Sequence, residues 1–215
     1  MSEHDDYIPA MGYFSLARFY DPLIKFVIRE KKFKTRLIQN ADLSNDSAVL
    51  DVGCGTGTLA LMVKQAYPEA RVVGLDGDPK ILAIARQKFE RKGVDIAIDE
   101  AMSFAMPYPD GDFDRVLTTL MLHHLTMENK LRTLGEVYRV LKPGGELHIA
   151  DFSTPEGQMG HLSAHSHARS EQVTDNIRGL LPHMMEHVGF EAVQYHGGLS
   201  TLFGTISFFS GVRPA

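Results

Sequence analysis

Apolar residues at Leu16, Phe19, Tyr20, Leu23, Ile24, Val27 and Ile28 recur at spacings of three and four, which predicts a helix over residues 13–39. Asp21-Pro22 reads as a cap and first turn that restart that helix. From Ala48 the pattern changes. Short apolar runs at 48–52, 71–75, 94–98, 113–119 and 146–151 predict strands, and amphipathic stretches at 58–67, 79–91 and 128–141 predict helices between them. Pro68, Gly93 and Pro143-Gly144-Gly145 stand where those helices should stop. Strand and helix in alternation predict a parallel sheet with helices on both faces, and right-handed crossovers make it doubly wound. Beyond residue 152 the alternation is lost. Residues 152–178 are polar and rich in Ser, His and Gly, and read as a loop or a short lid helix. A helix at 180–188, closed by Gly189, precedes strands at 190–196 and 202–212. The link between these strands is too short for a crossover helix, so the pair should be antiparallel.

Composition narrows what such a fold is for. The chain has 215 residues, is 44% hydrophobic and carries a formal charge of -5, which suits one α/β domain and argues against a general nucleic-acid binder. One cysteine, Cys54, excludes an internal disulfide and a multi-cysteine metal site. The N-terminus MSEHDDYIPAMG is acidic and does not read as a signal peptide, and no apolar stretch reaches membrane-spanning length. A cytoplasmic protein without stable membrane insertion is expected, as a monomer or homodimer.

The first strand, Ala48–Val52, runs into three alternating glycines, Gly53, Gly55 and Gly57, with a helix directly after. Glycine lets a backbone turn sharply and approach a ligand, and the end of such a strand is where open α/β sheets bind theirs. A dinucleotide turn has the spacing G-x-G-x-x-G. Here one intervening residue is missing, which suits a smaller uncharged or zwitterionic group and counts against a nicotinamide oxidoreductase. Asp76 ends the next strand, 25 residues after Asp51. A carboxylate there can accept hydrogen bonds from both ribose hydroxyls. The helix-capping role falls to Asp78, before Pro79, leaving Asp76 free for a ligand.

With VLDVGCGTG, VVGLDGDP, MPYPDGDFDRVLTTLMLHHL and VLKPGGELHIADF in order over residues 48–151, the chain resembles the class I S-adenosylmethionine-dependent methyltransferases. It is most similar to the branch that includes the ubiquinone/menaquinone C-methyltransferases, and the segment from His183 to Pro214 is similar to that branch's last helix and hairpin. The resemblance implies a Rossmann-like, doubly wound, seven-stranded sheet of order 3-2-1-4-5-7-6 with strand 7 antiparallel. It implies one domain over 1–215: an N-terminal helical cap (1–45), a cofactor-binding half (46–151), and a lid segment followed by a helix and hairpin (152–215). It also implies S-adenosylmethionine as cofactor. Asp51, Gly53 and Gly55 would line its methionine end, Asp76 would hold the ribose and Gly77 would lie against the adenine, with Met102, Ser103 and Thr119 around the rest; Cys54 reads as a small residue packed behind the cofactor and not as a nucleophile. Relatives often place an acidic residue against the adenine amino group where this chain has Met102. Methionine packs on the ring but accepts a hydrogen bond poorly, so a backbone group, Asp99 or Glu100 would have to serve.

Transfer of a methyl group to a small molecule needs orientation and exclusion of water more than a fixed triad, and none is visible. His123, His124 and Asp151 are the polar groups expected near the methyl. Either histidine has the pKa of a base near neutrality, or His124 packs under the following helix. Tyr7, Tyr13 and Tyr20 are expected to help form the acceptor pocket, with a quinone-like or other aromatic ring as acceptor. A non-catalytic S-adenosylmethionine-binding protein is the alternative, and the three polar groups weigh against it. His161, His165 and His167, and the pair His183 and His187, lack a third-ligand pattern, so no metal is expected. The six basic residues from Lys25 to Arg36 read as a solvated helix face.

Overall fold

The computed structural model describes residues 30–152, 179–201 and 204–215. The expected helix is seen from Glu30 to Asn40 (α1). There follow β1 (Ala48–Val52), α2 (Thr58–Ala66), β2 (Arg71–Asp76), α3 (Pro79–Lys92), β3 (Ala97–Glu100), β4 (Phe113–Thr119), α4 (Met127–Val140), β5 (Leu141–Phe152), α5 (Leu181–Val188), β6 (Glu191–Thr201) and β7 (Gly204–Val212). Residues 13–29 of the predicted helix, the lid segment at 153–178, and Tyr7, Tyr13 and Tyr20 lie outside the described residues.

The seven strands form one sheet of order β3-β2-β1-β4-β5-β7-β6. β1, β2, β3, β4 and β5 are parallel, and β7 runs antiparallel to both β5 and β6. β1 is buried along its whole length, as a central strand covered on both faces should be. Alternation of side chains across it builds two cores. Leu50 and Val52 join Leu134, Val137, Leu181 and Met185 from α4 and α5. Val49 joins Phe33, Leu37, Leu59, Val63 and Phe89 from α1, α2 and α3. Asp51 shares the face of Val49, and that places a carboxylate among helices.

Caps explain the helix bounds. Asp78 Oδ1 accepts from the amides of Lys80 and Ile81 ahead of α3, and Gly93 closes that helix at φ 62°. Thr126 accepts the Asn129 amide and starts α4.

Three strands differ from the expected ones. β3 lies at 97–100 instead of 94–98, because its place is set by pairing Ala97–Glu100 with Val73–Asp76. β5 begins at Leu141, paired with Phe113, and passes through Pro143-Gly144-Gly145. The Gly144 amide donates to Arg213 O and the Arg213 amide to Gly145 O, both at 2.8 Å, so those residues join a ladder. β6 continues past His196 through Gly197 (φ 86°), where register shifts mark bulges.

Candidate functional site

The order of the sheet reverses between β1 and β4, and a cavity of about 250 Å³ opens at the carboxyl ends of β1, β2 and β4. Its floor is the glycine turn. The amides of Gly53 and Cys54 both donate to Leu75 O, at 2.8 and 2.9 Å, which folds the turn back over β2. Gly53 has φ +68°, and a Cβ there would lie 2.4 Å from Met121 Cγ. Backbone conformation and crowding by Met121 thus both require glycine. Cys54 is buried against Gly74. Burial, followed by the nearby Asp51 and Asp76 carboxylates, pushes its thiol pKa up, so it serves as packing and not as a nucleophile.

Asp76 is not left free. Its Oδ2 accepts the Gly55 amide at 2.9 Å and its Oδ1 the Asp78 amide at 3.0 Å. These two bonds fix the carboxylate at the cavity wall and still leave lone pairs on both oxygens, since an ionised carboxylate has about four acceptor sites. Burial raises its pKa, against the pull of these amides. Beside it, Gly77 lets Met102 approach; a Cβ on Gly77 would meet the Met102 sulfur at 2.9 Å. Gly53, Cys54, Gly55, Asp76, Gly77, Met102, Ser103 and Thr119 all line the cavity.

Asp51 departs from expectation. It sits behind the turn, 1% exposed, and is absent from the described cavity wall. Its Oδ2 accepts the Ala60 amide at 3.1 Å and its Oδ1 has no partner. Burial raises its pKa to about 7, with Lys34 and the Ala60 amide pulling the other way. Asp99 and Glu100 do not line the cavity either, and Asp99 accepts the Tyr108 hydroxyl at 3.0 Å. Ala101, Met102 and Ser103 stand on the wall.

The polar trio separates into two roles. Asp151, at the end of β5, is fully buried; its Oδ1 holds His123 Nδ1 at 2.7 Å and the Phe152 amide at 2.7 Å. Burial alone would raise the Asp151 pKa, but the His123 charge and bond and the Phe152 amide hold it below the ordinary carboxylate value. Neither Asp151 nor His123 is on the wall. His124 is, in a short 3₁₀ turn at Leu122–His124, and the residue is exposed. Its ring centroid lies 4.0 Å from that of His123. The surrounding protein, then repulsion by His123, lowers its pKa. Because the ring is open to the cavity, solvent blunts the first cause, and the neighbour's repulsion is the firmer one. His124 is therefore a neutral ring at pH 7 and a weaker base than its type suggests.

A protein-family model described as "Methyltransferase domain" matches residues 49–145. The ubiquinone/menaquinone biosynthesis C-methyltransferase UbiE of Shewanella pealeana is 30% identical over 189 residues, covering 77% of this chain and 74% of that one. The chain belongs to the class I S-adenosylmethionine-dependent methyltransferases and is similar to their ubiquinone/menaquinone C-methyltransferase branch. The demethylmenaquinone methyltransferase of Thermus thermophilus is 41% identical over 124 residues, 58% of this chain. The match spans 56% of that relative, and 44% of the corresponding Deinococcus radiodurans protein. A putative methyltransferase of Bacillus halodurans superposes with a TM-score of 0.65 over 85% of this chain and 99% of its own, at 21% identity, and so shares the fold.

A methyltransferase cavity of this shape also has walls that the sequence reading missed. Glu30, Phe33 and Lys34 reach it from α1, Ile81 from α3, and Phe104, Met121 and Leu125 from the loops after β3 and β4. Lys34 had a signal: it sits in the buried stripe of α1 with Phe33, Leu37 and Ile38, not on the exposed face of Lys31 and Lys32. His183 pairs with Glu186 on the exposed side of α5. Among the described residues no group of three metal-ligating side chains occurs, and no helix is long and apolar enough to cross a membrane.

Proposed function

We propose that the chain moves a methyl group from S-adenosylmethionine to a small-molecule acceptor with a quinone-like or other aromatic ring, by in-line displacement. The observation that carries this reading is the cavity wall itself. An immobilised carboxylate, Asp76, and a neutral imidazole, His124, face one space floored by close-packed backbone. The residues present fit the cofactor. Gly53, Gly55 and Gly77 make a cradle that side chains would fill, and Asp76 retains acceptor sites for two ribose hydroxyls. Met102 and the backbone beside it would cover the adenine, with the Ser103 hydroxyl held by Thr133 at 2.9 Å.

When bound, the cofactor supplies a methyl group on a sulfonium, already a strong electrophile. The protein's share is orientation and dryness, and orientation of this kind is worth roughly 7–11 kcal/mol of barrier. Leu120, Met121 and Leu125 keep the acceptor side apolar. His124 offers an acceptor hydroxyl one lone pair and one N–H. With its pKa lowered, it orients that hydroxyl more than it removes the proton. Asp151 keeps a proton on His123 Nδ1 and fixes that ring against Phe152 and His124. The quinone-like acceptor is the class that the relatives' names carry.

The test is methyl transfer from isotopically labelled S-adenosylmethionine to a demethylated naphthoquinol, read by mass spectrometry of the extracted quinone. A product one methyl heavier is expected. Firm S-adenosylhomocysteine binding with no product from quinols or simpler phenols would overturn the acceptor class, and absence of cofactor binding would overturn the whole reading.

A further inference from the structure

Past Asp76 the cavity wall is nearly without polar side chains. Gly77, Ile81, Ala101, Met102 and Phe104 form it. The polar side chain among them, Ser103, shares a hydrogen bond with Thr133 at 2.9 Å. Phe104 is held under the Arg132 guanidinium, 4.7 Å from its ring centroid, a cation–π contact that steadies the ring. Two carboxylates stand among the described residues of the wall, Glu30 and Asp76, and no asparagine or glutamine does. Glu30 is paired with Lys34 at 2.6 Å, and Asp76 has the ribose to hold. The acidic residues just before Met102 in the chain do not supply what is missing. Asp99 accepts the Tyr108 hydroxyl, Glu100 is exposed, and neither lines the cavity. The carbonyls of Asp76 and Met102 already accept the amides of Ala101 and Ala105.

With the ribose at Asp76 and the methyl group beside His124, the cofactor's base falls at this apolar end. A flat ring meets the Phe104 ring and aliphatic side chains there, and stacking is tolerant of base identity because every base has a π-face. A site rejects a ligand lacking one polar group strongly only where it hydrogen-bonds that group. The Met102 thioether is a poor acceptor for such a bond. We propose that this chain recognises the base of its cofactor by stacking and shape, with no side chain reading the 6-amino group, so that a cofactor carrying unsubstituted purine in place of adenine is taken nearly as well. This rests on the S-adenosylmethionine reading above. Selectivity for the ligand then resides in the Asp76 carboxylate and the glycine turn, and Met102 is the position that sets how weakly the base is discriminated.

Calorimetry with S-adenosylhomocysteine and with its analogue whose base is purine without the 6-amino group tests this. The two affinities for the wild-type chain should agree within about threefold, short of the roughly tenfold that a hydrogen bond to a charged group confers. Met102→Asp should create a preference for S-adenosylhomocysteine of about tenfold or more, and Met102→Asn serves in the same way should the aspartate variant not fold. Phe104→Ala should weaken both ligands by about fivefold or more and leave their ratio unchanged. A wild-type preference above about threefold, a folded Met102 variant that gains none, or a Phe104→Ala chain that binds both ligands as wild type does would overturn the assignment and leave the cofactor reading intact. Failure of the wild-type chain to bind either ligand would overturn both.

Discussion

Gly53→Ala tests the link between backbone and cavity most directly. At φ +68° an alanine pays about 1–2 kcal/mol for the left-handed conformation. Its Cβ would also stand 2.4 Å from Met121 Cγ and 2.8 Å from Met121 Cβ, an overlap relieved only if Met121 moves, at about 1–3 kcal/mol. Against these stands a gain of about 0.4–1 kcal/mol from a stiffer unfolded chain. The net loss is about 2–4 kcal/mol, or a fall in Tm of roughly 5–15 °C for a chain of this size. The assay is a double-mutant cycle with Met121→Ala by urea denaturation. Shortening Met121 to alanine removes the Cγ overlap but keeps its Cβ at 2.8 Å and leaves the strained φ, so the cycle should return a coupling of about 1 kcal/mol and leave the rest of the penalty in the double variant. A single variant as stable as wild type, or a cycle with no coupling, would refute the reasoning.

Further outcomes follow from the same site. Asp76→Ala should weaken S-adenosylhomocysteine by more than about tenfold, since it removes two ribose acceptors and unlatches the Gly55 and Asp78 amides; calorimetry decides it, and an unchanged affinity would be contrary. His124→Ala should lower kcat/KM about tenfold to a hundredfold with cofactor affinity within about twofold, and equal losses in both would assign the ring to cofactor binding instead. The folded Asp51 pKa of about 7 lies above its ordinary 3.8. Its proton therefore stabilises the ligand-free chain at low pH, and that stability is lost as pH rises from about 4 to about 7. Asp51→Asn should abolish that decline, a relative change on the order of 3–4 kcal/mol across the window; parallel stability–pH curves for the two proteins would contradict the buried, unmet carboxylate.

Much of this was legible because strong local signals agreed with the tertiary structure. β4 falls on the predicted residues, and Asp78 before Pro79 caps α3 as a cap should. The sequence failed where a distant partner decides. Pro143-Gly144-Gly145 has the chemistry of a turn, and only Arg213, nearly seventy residues away, turns it into ladder. β3 is a half-exposed edge strand with little apolar alternation, so β2 alone sets its register. At the site, motif spacing located the turn, Asp76 and the Met102 segment. It could not tell that Asp51 lies behind the wall, or that Asp151 points at His123 and leaves His124 facing the cavity. Nor does spacing distinguish a lysine in the buried stripe of α1 from the solvated lysines around it.

The place of β7 has a consequence for how the molecule is made. β7 follows β6 in the chain yet lies between β5 and β6. Until the chain through Val212 is available, β5 therefore presents an open edge of unpaired amides and carbonyls from Glu146 to Phe152. Closing that edge requires partners some 60 residues apart in sequence, a non-local and hence slow step. During that interval β5 can template pairing with another chain. Aggregation should thus be worst in nascent or truncated forms that lack residues 204–212, even though all the cofactor-facing elements of the parallel half are already present in them.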